Sequence, residues 1–228
     1  MAENRTFTED ELKTMQTRTL DLLQAAIDAG DKDLAKQLAQ RMKEEFNFLH
    51  DGYMFWVAGL QTYIYNTHGI KELEAAERLS HTIEMNTVFK STGEKPDFRA
   101  RVEFAAKAMH GHMQAMEIKE DDEKVVITMK PCGSGERIIE KGGYEAGLAT
   151  VKERHAITYG FENMPVYCVH CPAVELLVVE ATGELDMVRL IKEDRKHGSC
   201  HFGFYKDAKD IPEELYTRIG KTKPKYDR

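Results

Sequence analysis

Apolar residues recur at helical spacing through the first half of the chain. In the second half they fall into short β-branched runs bounded by glycine turns. Thr8 and Glu11 form a capping box, and Leu12, Met15, Leu20, Leu23 and Ile27 then mark a stripe that predicts one helix, closed by Gly30. Asp31 caps a second helix carrying Leu34, Leu38, Met42 and Phe46, with a break or kink expected at His50-Asp51-Gly52. Tyr53 to Leu60 is the most apolar and aromatic stretch. It predicts the central helix of an N-terminal lobe, with Trp56, Leu60, Tyr63 and Ile64 on one face and Gly69 near its end. A fourth helix is expected over 71–84. A Gly93/Pro96 break separates it from a fifth over 97–116, with Val102, Ala105, Ala106 and Met109 inward.

The acidic run Glu120-Asp121-Asp122-Glu123 reads as a solvated connection, and the period changes after it. Val125 to Met129 predicts a strand, and Arg137-Ile138-Ile139 its return beyond the turn Pro131-Cys132-Gly133-Ser134-Gly135. Gly142-Gly143 is a further turn, and Glu145 to Ile157 is either a helix or an irregular cover. Pro172 opens a short helix with Val174, Leu177 and Val178, ending at Gly183. Met187 to Ile191 and Cys200 to Tyr205 predict paired strands joined by a turn at 195–198. The fold class expected is α+β: an all-helical bundle over 1–119 followed by a cysteine-rich, metal-binding lobe over 124–228 with a small antiparallel sheet.

Composition narrows the function. A formal charge of −7 disfavours a general electrostatic grip on nucleic acid. No apolar run approaches the ~20 residues that cross a bilayer, and the first six residues lack the apolar core of a secretory signal. The expected location is therefore the cytoplasm, with neither nucleic acid nor membrane as partner. In a reducing compartment four cysteines are expected as metal-bound or catalytic thiolates rather than as disulfides.

Those cysteines lie in three turns: Cys132 in Pro-Cys-Gly-Ser-Gly, Cys168 and Cys171 in Cys-Val-His-Cys, and Cys200 in Gly-Ser-Cys-His. Two sulfurs spaced C-x-x-C can bind one ion at about 2.3 Å, and Cys132 and Cys200 at strand ends can complete the set. The predicted ligands are Cys132, Cys168, Cys171 and Cys200, or three of them with His170 or His201. Soft sulfur favours zinc first and an iron–sulfur cluster second. An open zinc site would activate water, with His155, His170, His201 or Glu175 handling the proton. A closed one would be structural. Ser134, within Gly133-Ser134-Gly135, is placed to present backbone N–H groups to an anion, and Tyr53 and Trp56 are candidate walls of a substrate pocket. Dithiol exchange would need the motif at the start of a thioredoxin-like βαβ unit, whereas here it lies late in the chain with the helices upstream. What carries over is that Cys171 directly precedes Pro172 and a helix whose free N–H groups stabilise a thiolate, whether it binds metal or attacks a substrate. The partners expected are a small-molecule substrate and, because two-fold dimers are the commonest assemblies, a second copy of the chain. The alternative to an enzyme is a metal-stabilised binding or sensor module.

The ending Gly198-Ser199-Cys200-His201-Phe202-Gly203-Phe204, together with Cys171-Pro172 and its acidic-apolar helix, resembles the C-terminal half of the L-2-amino-thiazoline-4-carboxylic acid hydrolase-like family. The resemblance covers about a third of the chain. It implies a helical region preceding a small α+β part, Cys171 and Cys200 as site positions, and hydrolysis of a small heterocyclic or amidine-like C–N bond. Cys132 and the complete Cys-Val-His-Cys depart from that pattern, which fits an added metal site.

Overall fold

The computed structural model describes residues 6–87, 96–190 and 200–226. The chain divides into two compact units, Met1–Gly52 and Tyr53–Arg228. In the first, α1 (Glu9–Gln16) starts at the expected capping box, with Glu11 N–H donating to Thr8 Oγ1. The single helix predicted here is broken. Thr17 turns extended and donates its hydroxyl back to the Lys13 carbonyl, and α2 (Thr19–Asp28) restarts behind Arg18. Among the described residues of this unit only Thr19, Ala26 and Leu38 are buried, and the Thr19 hydroxyl and Arg41 both donate to Glu45.

The break expected near Gly52 does not occur, and α3 is continuous over Lys32–His68. Gly costs a helix interior only about 1 kcal/mol relative to Ala, which flanking turns of good helix formers can absorb. The chain stops at Gly69, whose φ of +85° suits a residue without Cβ. Within the second unit the packed face of α3 is Met54, Ala58 and Gln61, while Tyr53, Trp56, Leu60 and Tyr63 are exposed. The helical period is as the sequence predicts, but the bulkier aromatic face points outward. α4 (Ile70–Thr87) and α5 (Phe98–His110, capped by Asp97) follow. The Gly93 part of the predicted break, and the turn at 195–198, lie outside the described residues.

The sheet has the order β1-β2-β6-β5 and is antiparallel throughout, with β1 at Ala115–Glu120, β2 at Lys124–Lys130, β5 at Met187–Leu190 and β6 at His201–Tyr205. β1 covers residues expected to end a helix. Its Glu117 stands opposite Thr128 and accepts from the Lys130 side chain at 2.9 Å, at a sheet edge too exposed for apolar patterning to show. Arg137-Ile138-Ile139 is helical instead of a returning strand, in α6 (Gly135–Glu140), where Ile138 is buried against Met54 and Ala58. Residues 145–157 are irregular, apart from β3 (Thr150–Val151), paired with β4 (Met164–Pro165), and the start of the 3-10 turn Ala156–Thr158.

Alternation along β2 gives the sheet one apolar face, Val125, Ile127 and Met129, which packs with Phe202 and Phe204 against Ala105 and Met109 of α5. On the other side α7 (His170–Thr182) buries Ala173, Leu176 and Val179 in a larger core with Leu73, Val188 and the chain around α8 (Glu213–Thr217). A fully buried Leu or Val there stabilises the fold by about 1.5–3 kcal/mol. α7 and the strand ends are thereby fixed, and they carry the cysteines. No described helix is long and apolar enough to cross a membrane.

Candidate functional site

Cys171 sits in the first turn of α7, next to His170 at the helix start. Its Sγ is 3.2 Å from His170 Nε2, and His170 Nδ1 donates to the Tyr167 carbonyl at 2.6 Å. That second bond orients the ring and assigns Nε2 to the sulfur. Burial alone would raise the Cys171 thiol, but the Arg189 charge and His170 outweigh it and bring the thiol down to about 7. Burial likewise works against the imidazolium, yet the Cys171 sulfur and the Tyr167 carbonyl lift His170 to about 9. Between those values the pair is thiolate and imidazolium, at a helix N-terminus that favours the negative sulfur.

The second pair forms where β2 ends and β6 begins. Thr128 faces His201 across that ladder, so the residues beyond each strand meet at one end of the sheet. The Cys132 sulfur accepts from the backbone N–H groups of Ser134 and Gly135 and shares a hydrogen bond with Cys200. Cys132 is held well below the ordinary thiol range, by the Cys200 contact first and then by those amides. Cys200 is raised, by the same contact and by burial. The turn is tightly set, because the Cys132 N–H donates to the Glu136 carboxylate and Gly135 lies against Cys168. A Cβ at Gly135 would come within 2.9 Å of the Cys168 sulfur, so the C-x-x-C segment and the Pro-Cys-Gly-Ser-Gly turn fit together only with glycine there.

Arg189 links the pairs. It lies in β5 opposite Phe202, its guanidinium stacks on that ring at 3.3 Å, and it hydrogen-bonds the Cys171 side chain. Burial opposes its charge, but Cys171, the Tyr159 phenol and Cys200 raise its pKa further. Its Nε and Nη1 have no hydrogen-bond partner among the described residues, although the residue is 91% buried, at 9% exposure. The strand is anchored from below by Glu175, which accepts from the Arg189 backbone N–H at 2.7 Å, Tyr159 Oη at 2.6 Å and Arg218 Nη2 at 3.1 Å. Burial pushes the Glu175 carboxyl up, and Arg218 and those donors pull it only part of the way back.

Compared with protein-family models, curated proteins and solved structures, the chain matches none of them.

The four cysteines do not form one cluster, and among the described residues no three His, Cys, Asp or Glu side chains are arranged to hold a metal ion. The physical reason is that Cys171 is engaged by His170 and Arg189, Cys132 by Cys200, and Cys168 lies against Gly135. Positive charge among the sulfurs comes from an arginine. Of the residues singled out from the sequence, His170 lies on Cys171, and Ser134 lies in the amide cradle of Cys132, its hydroxyl bonded to Tyr167. Tyr167 itself is pushed up to about 12, by burial first. His155 caps the short 3-10 turn Ala156–Thr158 and faces Glu74 at 3.6 Å, away from the sulfurs' hydrogen bonds. Glu175 supports Arg189 from behind. Tyr53 and Trp56 are on the exposed face of α3, at 55% and 64% exposure.

Sequence reasoning missed Arg189 and the buried polar set behind His170. A lone arginine in Met-Val-Arg-Leu-Ile was the available signal, since a charge inside a buried strand needs a reason. Glu77 on α4 is also buried. It accepts from Gln61 at 2.8 Å and lies 3.4 Å from His81, whose ring centroid is 6.1 Å from that of His170.

Proposed function

We propose that the protein is a cysteine-dependent hydrolase of a small organic substrate with an activated C–N bond. The single observation that carries this reading is the Cys171 Sγ to His170 Nε2 contact at 3.2 Å, with His170 Nδ1 fixed on the Tyr167 carbonyl. In this scheme the Cys171 thiolate attacks the electrophilic carbon. The imidazolium of His170 protonates the leaving nitrogen as the C–N bond breaks, leaving the carbon on sulfur. His170, now neutral, takes a proton from water, the resulting hydroxide releases the product, and the thiolate–imidazolium pair is restored. Arg189, whose Nε and Nη1 have no partner among the described residues, supplies N–H donors for negative charge developing on the substrate. The C–N class follows the resemblance of the Cys171-Pro172 and Cys200-His201 segments.

The test is hydrolysis of a panel of cyclic amidines, thiazolines and small amides, with mass spectrometry to trap the substrate on the enzyme. Adduct on Cys171, and loss of turnover in Cys171→Ala, are expected. Turnover retained in Cys171→Ala overturns the scheme. Independently of substrate, iodoacetamide alkylation of Cys171 should rise with a midpoint at about pH 7, and His170→Ala should move that midpoint upward. An unmoved midpoint removes His170 from its role.

A second reading, a zinc site or an iron–sulfur cluster on Cys132, Cys168, Cys171 and Cys200, is supported by the contact that already sets Cys132 beside Cys200. It serves either an enzyme or a non-catalytic module. Elemental analysis and the visible spectrum of anaerobically purified protein decide it: stoichiometric zinc or iron with sulfide supports it, and metal-free active protein sinks it.

A further inference from the structure

The outward face of α3 has the spacing of a contact surface. Tyr53, Trp56, Leu60 and Tyr63 follow one another in alternating three- and four-residue steps, and Met42, Phe46 and Leu49 carry the same spacing back along the sequence. That is the heptad seam by which one helix packs along another. In the second unit those four and Val57 stand between 43% and 64% exposed. With ~150–250 Å² for a whole aromatic side chain, the five present about 500 Å² of apolar surface on one helical face. A lone exposed apolar residue is ordinary, whereas a continuous patch of this size marks a contact. No Asp, Glu, Lys or Arg occurs between Asp51 and Lys71, although 31% of the chain is charged. Gly52 and Gly59 lie one heptad apart beside the seam, and a Cβ built on either would meet nothing within 4 Å. Glycine weakens a helix interior. The room these two leave is of use to a second backbone lying alongside.

We propose that this face joins two copies of the chain through an antiparallel pair of α3 helices, related by a two-fold axis at the level of residues 57–59. Area, charge and spacing all select a second copy. Two such faces together bury about 1,000 Å² of apolar surface, which is roughly the six-tenths apolar share of a standard interface of about 1,600 Å². A two-fold interface sets one patch against itself, so any charge within it meets its like. The uncharged seam escapes that repulsion and offers nothing to a charged partner. In the antiparallel register Tyr53 of one copy faces Tyr63 of the other and Trp56 faces Leu60, each pairing occurring twice. Every seam residue of the second unit thereby finds an apolar partner. The Gly59 residues of the two copies meet beside the axis, where side chains would hold the backbones apart. A parallel pair would set Trp56 on Trp56, large on large, with the helix dipoles aligned instead of opposed. The reverse face of the same helix, Met54 and Ala58, packs on Ile138 of α6, which follows the Cys132 turn. Pairing therefore steadies the helix behind that turn. No residue of the hydrolytic scheme takes part, so the two readings stand or fall separately.

The test is sedimentation velocity of the full chain from about 100 μM down to about 0.1 μM, concentrations that bear on interfaces of this size. A two-chain species at the upper end is expected. Leu60→Glu, at an exposed position, should weaken association by about a hundredfold or more with unchanged far-ultraviolet dichroism, and Trp56→Lys should do the same. Mixed in equal amounts, these two variants should associate. The introduced ammonium and carboxylate then face each other on one side of the axis, while Trp56 and Leu60 still meet on the other. Gly59→Leu should weaken association yet raise the melting temperature of the single chain, since the added side chain finds open space in one copy and a neighbouring backbone in two. A single chain at every concentration overturns the proposal. So does a two-chain species that survives Leu60→Glu, or a mixture of the two variants that stays apart. A single chain that floats with phosphatidylcholine vesicles, and no longer does so as Trp56→Lys, gives the face to a lipid surface and overturns it too. Should Leu60→Glu fail to fold, the parent chain and Gly59→Leu decide the matter.

Discussion

Cys171 and His170 are neighbours in the sequence, joined within the first turn of α7, whereas Cys132 and Cys200 come from opposite ends of the sheet-forming region and meet because β2 pairs with β6. The first pair needs a helix start and a carbonyl one turn back. The second needs the whole antiparallel sheet in register. Local geometry thus makes a nucleophile, while long-range pairing makes a contact that exists only in the folded chain. Arg189, on the edge strand β5, acts on both.

The largest expected effect comes from beneath the arginine. Glu175→Gln removes the carboxylate that faces Arg218 while leaving that cation buried, and loss of one partner from a buried ion pair costs about 3–5 kcal/mol. Urea unfolding should record a loss of that order. A loss under 1 kcal/mol would show that Glu175 is not the anchor of β5. Arg189→Met is next. Returning Cys171 from about 7 toward the ordinary thiol value reduces its thiolate fraction at pH 7 by about an order of magnitude. Alkylation of Cys171 at pH 7 should slow accordingly. An unchanged rate would show that Arg189 does not hold the Cys171 thiol down.

The smallest effect concerns pH and the histidine behind the first pair, His81, whose ring centroid lies 6.1 Å from that of His170. Burial works against a charged His81, but Glu77 and Glu84 outweigh it and raise its pKa above 6.5. Burial likewise raises Glu77, but His81 and Gln61 bring it below 4.5. The raised imidazole stabilises the fold fully below pH 6.5, and that contribution fades as pH climbs through its folded value. The lowered carboxylate stabilises fully above pH 4.5, and its contribution fades as pH falls. Both act together between about pH 4.5 and 6.5. In the parent chain this contribution to melting temperature should fall away on either side of the window; in Glu77→Gln the fall should be smaller on both sides, and identical profiles would detach Glu77 from His81.

The α+β architecture was legible from the change of period after residue 120, and β2, β5, β6 and the α7 region follow from β-branched runs, Pro172 and Gly183. β1 was not legible, because Glu117 and Lys119 make an exposed edge strand look like a solvated helix end. The same ambiguity made Arg137-Ile138-Ile139 look extended: three residues cannot distinguish the two periods, and the contact that favours helix is with distant Met54 and Ala58. Cysteine spacing pointed to the right turns. It carried no information on the cation between them, since Arg189 reaches the sulfurs only through sheet order.

The outward face of α3 has an optical consequence. Trp56 is the chain's only tryptophan, and it stands 64% exposed with its ring centroid 6.3 Å from that of Tyr53. In a single copy its emission is that of a water-facing indole, open to iodide or acrylamide quenching, and it reports on whatever covers this helix rather than on the sheet. Melts followed by tryptophan fluorescence would pass over the loss of the core, which near-ultraviolet dichroism of the buried Tyr159 and Tyr216 rings records.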